Sequence, residues 1–138
     1  MKAYWLDNGT KISAQELKVQ GVEYAKLDVN NFQADLESIK TANGYKSQDI
    51  VELSPQTPNL DVILAKFDKE HIHTDDEVRF VLAGSGIFDI RSSDDRWMRI
   101  EVYASDYISV PANRNHRFFI MEDKTIRCVR HTFASNTS

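Results

Sequence analysis

Residues 77–110 read EVRFVLAGSGIFDIRSSDDRWMRIEVYASDYISV. Runs of β-branched, aromatic and aliphatic residues are broken at close intervals by turn formers: Gly84-Ser85, Ser92-Ser93-Asp94-Asp95 and Ser105-Asp106. Each run has the length of one strand, and the breaks leave no room for helices between them. The stretch therefore predicts consecutive strands over 77–82, 86–91, 96–103 and 107–110. Working outward, Pro111-Ala112-Asn113 and Glu122-Asp123-Lys124 bound two further strands at 116–121 and 125–132, and residues 60–67 read as another. Many short strands joined by tight turns indicate a sandwich or barrel.

Before residue 60 the signals change. Ser13-Ala14-Gln15-Glu16 is a capping box that opens a short helix ending at Gly21. Phe32, Leu36 and Ile39 recur at i, i+4 and i+7 and predict a second helix, with Gly44 as its stop. Tyr24-Ala25-Lys26-Leu27 alternates like a short strand, and Pro55 and Pro58 mark an irregular connection. With no repeat, low-complexity tract or Pro/Gly-rich linker, residues 1–138 read as one domain. A helical or irregular N-terminal layer covers 1–59 and barrel strands cover 60–133.

Composition narrows the function classes. The chain carries a formal charge of −4 with both signs interspersed, so no basic stripe offers itself to nucleic acid. The apolar runs are too short to span a bilayer, and the first residues lack the apolar core of a secretory signal. Cys128 is the only cysteine, which excludes an intramolecular disulfide and suits a reducing cytoplasm; its alternation with Ile126 reads as a buried small hydrophobe. His131 reads as a structural histidine.

The chemistry concentrates in His71-Ile72-His73-Thr74-Asp75-Asp76-Glu77 and in Pro111-Ala112-Asn113-Arg114-Asn115-His116. In extended chain His71, His73 and Glu77 share one parity and hence one face. With His116 from a later strand they form three imidazoles and a carboxylate, a donor set suited to iron, nickel, manganese or zinc. Arg79 shares the parity of Glu77 and would aim a fixed cation into the same cavity. Asp75-Asp76 reads as a solvated turn.

These residues match the two consensus blocks of the cupin superfamily. His71, His73, Glu77 and Gly84 keep the first block's spacing, with Ala65 at its leading glycine. Pro111 and His116 keep the second, with Ser105, Asn113 and Ile120 as departures. The stretch from His71 to Arg91, then Asp94 to Ile100 and Pro111 to Phe118, resembles acireductone dioxygenases more narrowly, and the likeness runs over most of residues 1–131. The resemblance implies a mainly β, cupin-type β-barrel (jelly roll) with a small N-terminal helical layer. It also implies one Fe(2+) or Ni(2+) per chain on His71, His73, Glu77 and His116, with aromatics at Phe67 and Phe118 walling the substrate pocket.

Such enzymes of methionine salvage cleave a methylthio-substituted acireductone, an enediol beside a ketone, with molecular oxygen. With iron the products are formate and a 2-keto acid; with nickel they are formate, carbon monoxide and methylthiopropionate. Four protein ligands on an octahedral ion leave two positions, enough for a bidentate enediolate. The expected partners are the small enediol and oxygen, with no nucleic acid or membrane, in a monomer or small homo-oligomer.

The chain departs from the family in two places. Asn8-Gly9-Thr10-Lys11 replaces a longer insertion after the first strand, and the sequence from Arg130 to Ser138 lacks the family's Gly-Glu-Pro segment and closing tryptophan. Pocket closure governs water exclusion more than metal binding, so these departures bear on the substrate. They keep open a repurposed metal cupin (an isomerase, epimerase or cyclase) or a non-catalytic barrel binding metal or a small ligand.

Overall fold

The computed structural model describes residues 1–133. Eight strands and three helices follow the order β1 (Lys2–Trp5), α1 (Ala14–Val19), β2 (Glu23–Lys26), α2 (Gln33–Asn43), β3 (Ser47–Leu53), α3 (Leu60–Phe67), β4 (Glu77–Arg91), β5 (Trp97–Tyr103), β6 (Asp106–Val110), β7 (His116–Ile120) and β8 (Ile126–Thr132). The Ser13 capping box forms as read, and α2 ends on a left-handed Gly44.

Two sheets share one strand. The first half of β4 pairs with β6 and β8, which extend to β2 and β3; its second half pairs with β5 and β7, and β1 joins β5. All these pairings are antiparallel, and the result is a sheet curled into a half-barrel. The sequence reads β4 as two strands separated by Gly84-Ser85; the chain passes through as one strand of 15 residues. Gly84 makes this passage feasible. Its φ is +79°, and a Cβ there would lie 2.0 Å from the Thr125 carbonyl oxygen.

Just before that bend the register with β8 slips by one residue: Val81 faces Cys128 while Ala83 faces Arg127, leaving Leu82 as the extra residue of a bulge. A one-residue bulge exchanges the two faces of a strand. Upstream, the odd-numbered Glu77 and Arg79 turn into the barrel while Val78 and Phe80 pack outward beneath α2 with Leu36, Tyr45, Tyr107 and Val129. Downstream, the even-numbered Phe88 and Ile90 turn inward, against Met98, Ile100 and Val102.

Two readings need correction. Residues 60–67 form α3, not a strand, and the first 59 residues carry, besides helices α1 and α2 and the short strand read at 24–27, two further strands, β1 and β3, so 1–59 is not solely helical or irregular. Leu60-Asp61-Val62-Ile63-Leu64-Ala65-Lys66-Phe67 satisfies both periods, since its apolar residues alternate but also recur at helical spacing. No strand edge is paired with this segment, so a helix is what satisfies its amides and carbonyls locally. Asp61 in the first turn and Lys66 in the last complement the helix dipole. Leu60 is buried, while Val62, which an inward-facing strand would have buried with it, is 59% exposed.

Candidate metal centre

The segment 69–76 has no regular structure of its own and is held by the turn that precedes β7. His71 and His116 exchange both main-chain hydrogen bonds, N–H to O=C, at 2.9 Å each way, and the Asn113 N–H donates to the His73 carbonyl at 2.7 Å. The three imidazoles therefore converge. Ring centroids are 4.4 Å apart for His71 and His116, 4.9 Å for His71 and His73, and 5.3 Å for His73 and His116. One ring nitrogen from each lies within 4.8 Å of the others.

Main-chain carbonyls orient two of the rings. His71 Nδ1 donates to the Lys69 carbonyl at 2.8 Å and His116 Nδ1 to the Arg114 carbonyl at 2.9 Å. That fixes the tautomer in which Nε2 carries a lone pair, the form a metal takes. His116 is 2% exposed, and its Nε2 is buried without a hydrogen-bond partner. In the neutral ring this nitrogen is a buried acceptor left unpaired, which costs free energy unless a proton or a metal ion fills the place it faces.

Glu77 opens β4 with its Oε2 3.4 Å from that Nε2. Burial pushes its carboxyl upward, but the His116 ring in its protonated form and then the Arg79 guanidinium outweigh this and hold it at about 2, and Glu77 in turn raises the His116 imidazole against its burial. The donor set, three imidazoles with a carboxylate that stays ionised, fits a divalent transition ion, and the orphaned Nε2 is the observation that says so.

Through His71 and Glu77 the cluster opens on a cavity of about 300 Å³. Arg79 lines it, donating from Nη1 to the Val78 carbonyl at 2.9 Å and standing 3.5 Å from Glu77. Arg130 on β8 stands opposite Arg79 on β4 but is matched by Asp49 from β3, whose Oδ1 accepts from its Nε at 2.9 Å. Phe67 and Phe118 both line the cavity and meet edge to face at 6.3 Å. Gly86 makes room for Phe118, since a Cβ there would lie 2.7 Å from its ring. Cys128 also lines the cavity, and burial raises its thiol to about 11.

Sequence reasoning missed Ile63, which faces the cavity from the misread helix, and Val51 and Leu53 from β3. Asp76, a solvated turn residue by sequence, instead accepts two hydrogen bonds on its carboxylate. Closure by the residues after Phe133 lies outside the described residues. His131 is buried with Nε2 2.7 Å from Gln48 Oε1, away from the metal-type cluster.

Fold and site together define a metal-binding barrel of the cupin class. The chain matches the ARD/ARD' family over residues 5–137 and belongs to it. It is 42% identical over 130 residues to the acireductone dioxygenase of Heterostelium pallidum, covering 94% of this chain and 89% of that one. With the acireductone dioxygenase of Gallus gallus it shares 38% over 122 residues, covering 86% and 68% respectively. Among solved structures, an acireductone dioxygenase from Bacillus anthracis with a cadmium ion in its active centre matches with a TM-score of 0.91 at 31% identity. That match covers 97% of this chain and 93% of that chain. No helix among the described residues is long and apolar enough to cross a membrane.

Proposed function

We propose that this chain is an acireductone dioxygenase of methionine salvage, working in the cytoplasm with one iron(II) or nickel(II) ion held by His71, His73, Glu77 and His116. The observation that carries the assignment is the unpaired, buried Nε2 of His116 beside an ionised Glu77, at the mouth of a largely apolar cavity, in a member of this family. When bound, the ion favours the ionised enediol and fixes its orientation as a Lewis acid and template.

The remaining work falls to the chain's own residues. Arg79 is braced by the Val78 carbonyl and offers its other N–H groups to the anionic oxygens of the substrate, a charge-assisted contact in a partly buried site. Val51, Leu53, Ile63, Phe67, Phe88 and Phe118 receive the thioether tail. A cavity of about 300 Å³ is at the small end of ligand sites, which span about 300–1,000 Å³, and suits a short chain better than a bulky one. Phe67 and Phe118 keep water from the reacting carbons.

The test is direct. Protein loaded anaerobically with iron(II) is mixed with a methylthio acireductone and then with oxygen, and formate is measured per mole of substrate. One formate per substrate is expected; no formate with the ion confirmed in place overturns the proposal. Nickel-loaded protein tested for carbon monoxide separates the two metal forms.

A further inference from the structure

The side chain that ties the ligand-bearing segments together is not itself among the proposed ligands. Asp76, which directly precedes Glu77, accepts the Ala112 N–H on Oδ1 at 2.9 Å and the Tyr45 hydroxyl on Oδ2 at 3.0 Å. Ala112 begins the turn that ends at His116, and Tyr45 lies between α2 and β3. One carboxylate thus joins three stretches that are far apart in sequence. The tie has a rigid anchor. Tyr45 is 6% exposed, its N–H donates to the Lys40 carbonyl at 3.0 Å, and its ring packs against His131 at 5.6 Å and Phe133 at 4.8 Å. Burial raises its phenol to about 12, so the hydroxyl remains a donor at any working pH.

We propose that Asp76 is a positioning residue for the metal centre, acting with Tyr45 to hold Glu77 and the His116 turn at the separation the ion requires. The inference rests on the metal-site reading above. Its physical basis is that main-chain bonds fix 69–76 to the His116 turn only at His71 and His73, and Glu77 stands at the very end of the β4–β6 ladder opposite Val110, so the Asp76 carboxylate adds a side-chain tie where the two ligand-bearing segments diverge. Groups that orient metal ligands typically contribute about 10- to 100-fold to metal affinity.

The experiment follows ion release from cobalt(II)-loaded protein into excess chelator, with cobalt absorption bands as a second readout and the melting temperature of the metal-free protein as a third. Asp76→Ala is expected to release the ion about 10–100 times faster than the unmodified chain and to shift the bands. Tyr45→Phe, which removes one hydroxyl, is expected to speed release several-fold. The exposed neighbour Asp75→Ala removes the same charge without the tie and is expected to leave the rate unchanged. If Asp76→Ala does not fold, Asp76→Asn and Tyr45→Phe carry the test.

Unmodified protein that takes up no cobalt overturns the metal-site reading itself. Unmodified protein that holds cobalt, with the Asp76 and Tyr45 variants releasing it at the same rate, overturns this inference alone. A lowered metal-free melting temperature with that unchanged rate likewise overturns it, as a contact that serves only the fold. Equal acceleration by Asp75→Ala also overturns it, by reducing the effect to charge.

Discussion

Glu77 and Asp89 sit at opposite ends of β4, each beside arginine, and their surroundings could hardly differ more. Asp89 lies on the outer face of its sheet yet is 0% exposed. Arg99, its partner on β5, donates to both carboxylate oxygens at 2.8 Å, and Arg117 from β7 donates at 2.8 Å to the second. Aromatic rings fill in the rest: Trp97 lies between the guanidiniums of Arg91 and Arg117, at 4.1 and 4.2 Å, and Phe119 lies under Arg99 and Arg117. Glu77 has only a 3.5 Å approach to Arg79 and a 3.4 Å approach to His116, both too long for strong hydrogen bonds. A saturated carboxylate holds sheets together; an unsaturated one beside unpaired imidazole nitrogen is arranged for something that arrives later.

Four measurements break or sharpen this contrast. Asp89→Ala leaves two guanidiniums without their partner and is expected to cost about 3–5 kcal/mol of stability, as broken buried ion pairs do, with metal uptake unchanged. Chemical denaturation with metal titration checks both halves. His73→Ala should do the reverse. If about 10–16 kcal/mol of binding is spread over four ligands, one ligand is worth on the order of 3 kcal/mol, or roughly hundredfold in affinity, while the barrel stays folded. Full metal content in that variant would show the ligand set to be wrong.

Arg79→Met is expected to lower kcat/KM on an acireductone by about 10²-fold, the loss typical of one fixed donor to a developing anion, with metal content intact. The smallest effect concerns His131. Burial, then Lys40, lowers its imidazole against the pull of Glu37. The unfolded chain therefore binds this proton more readily, so folding stability should fall as pH drops below about 6.5 and level off once the folded imidazole titrates. His131→Gln should flatten that part of the pH profile in thermal melts.

The histidine cluster was legible in the sequence because its residue types and spacing survive without knowledge of the fold: ring nitrogens of His71, His73 and His116 lie within 4.8 Å of one another, and Glu77 stands 3.4 Å from His116. Arg79 was legible by parity with Glu77. Phe88 was not, because the same parity fails beyond the bulge at Leu82, and no local signal marks an extra residue in a run as apolar as Phe80-Val81-Leu82-Ala83. β3 escaped notice since only Val51 and Leu53 of its inward positions are apolar, while Ile50 faces out at 52% exposure. The residues at 60–67 fit two periods at once, and only the absence of a pairing partner decides between them. Asp76 looked like an ordinary acidic turn because its two donors, Ala112 and Tyr45, come from distant parts of the chain.

That misread helix has a consequence for how such a site changes over time. Most of the cavity wall is woven into paired strands, where a shifted side chain disturbs neighbours on both sides. Ile63 and Phe67 stand instead on α3, which carries no ladder hydrogen bonds and leans on β7. Mutations there can widen or shorten the apolar end of the cavity while leaving the end where the three imidazoles meet alone. A lineage adapting to a new enediol would find its cheapest variation on those two turns of helix.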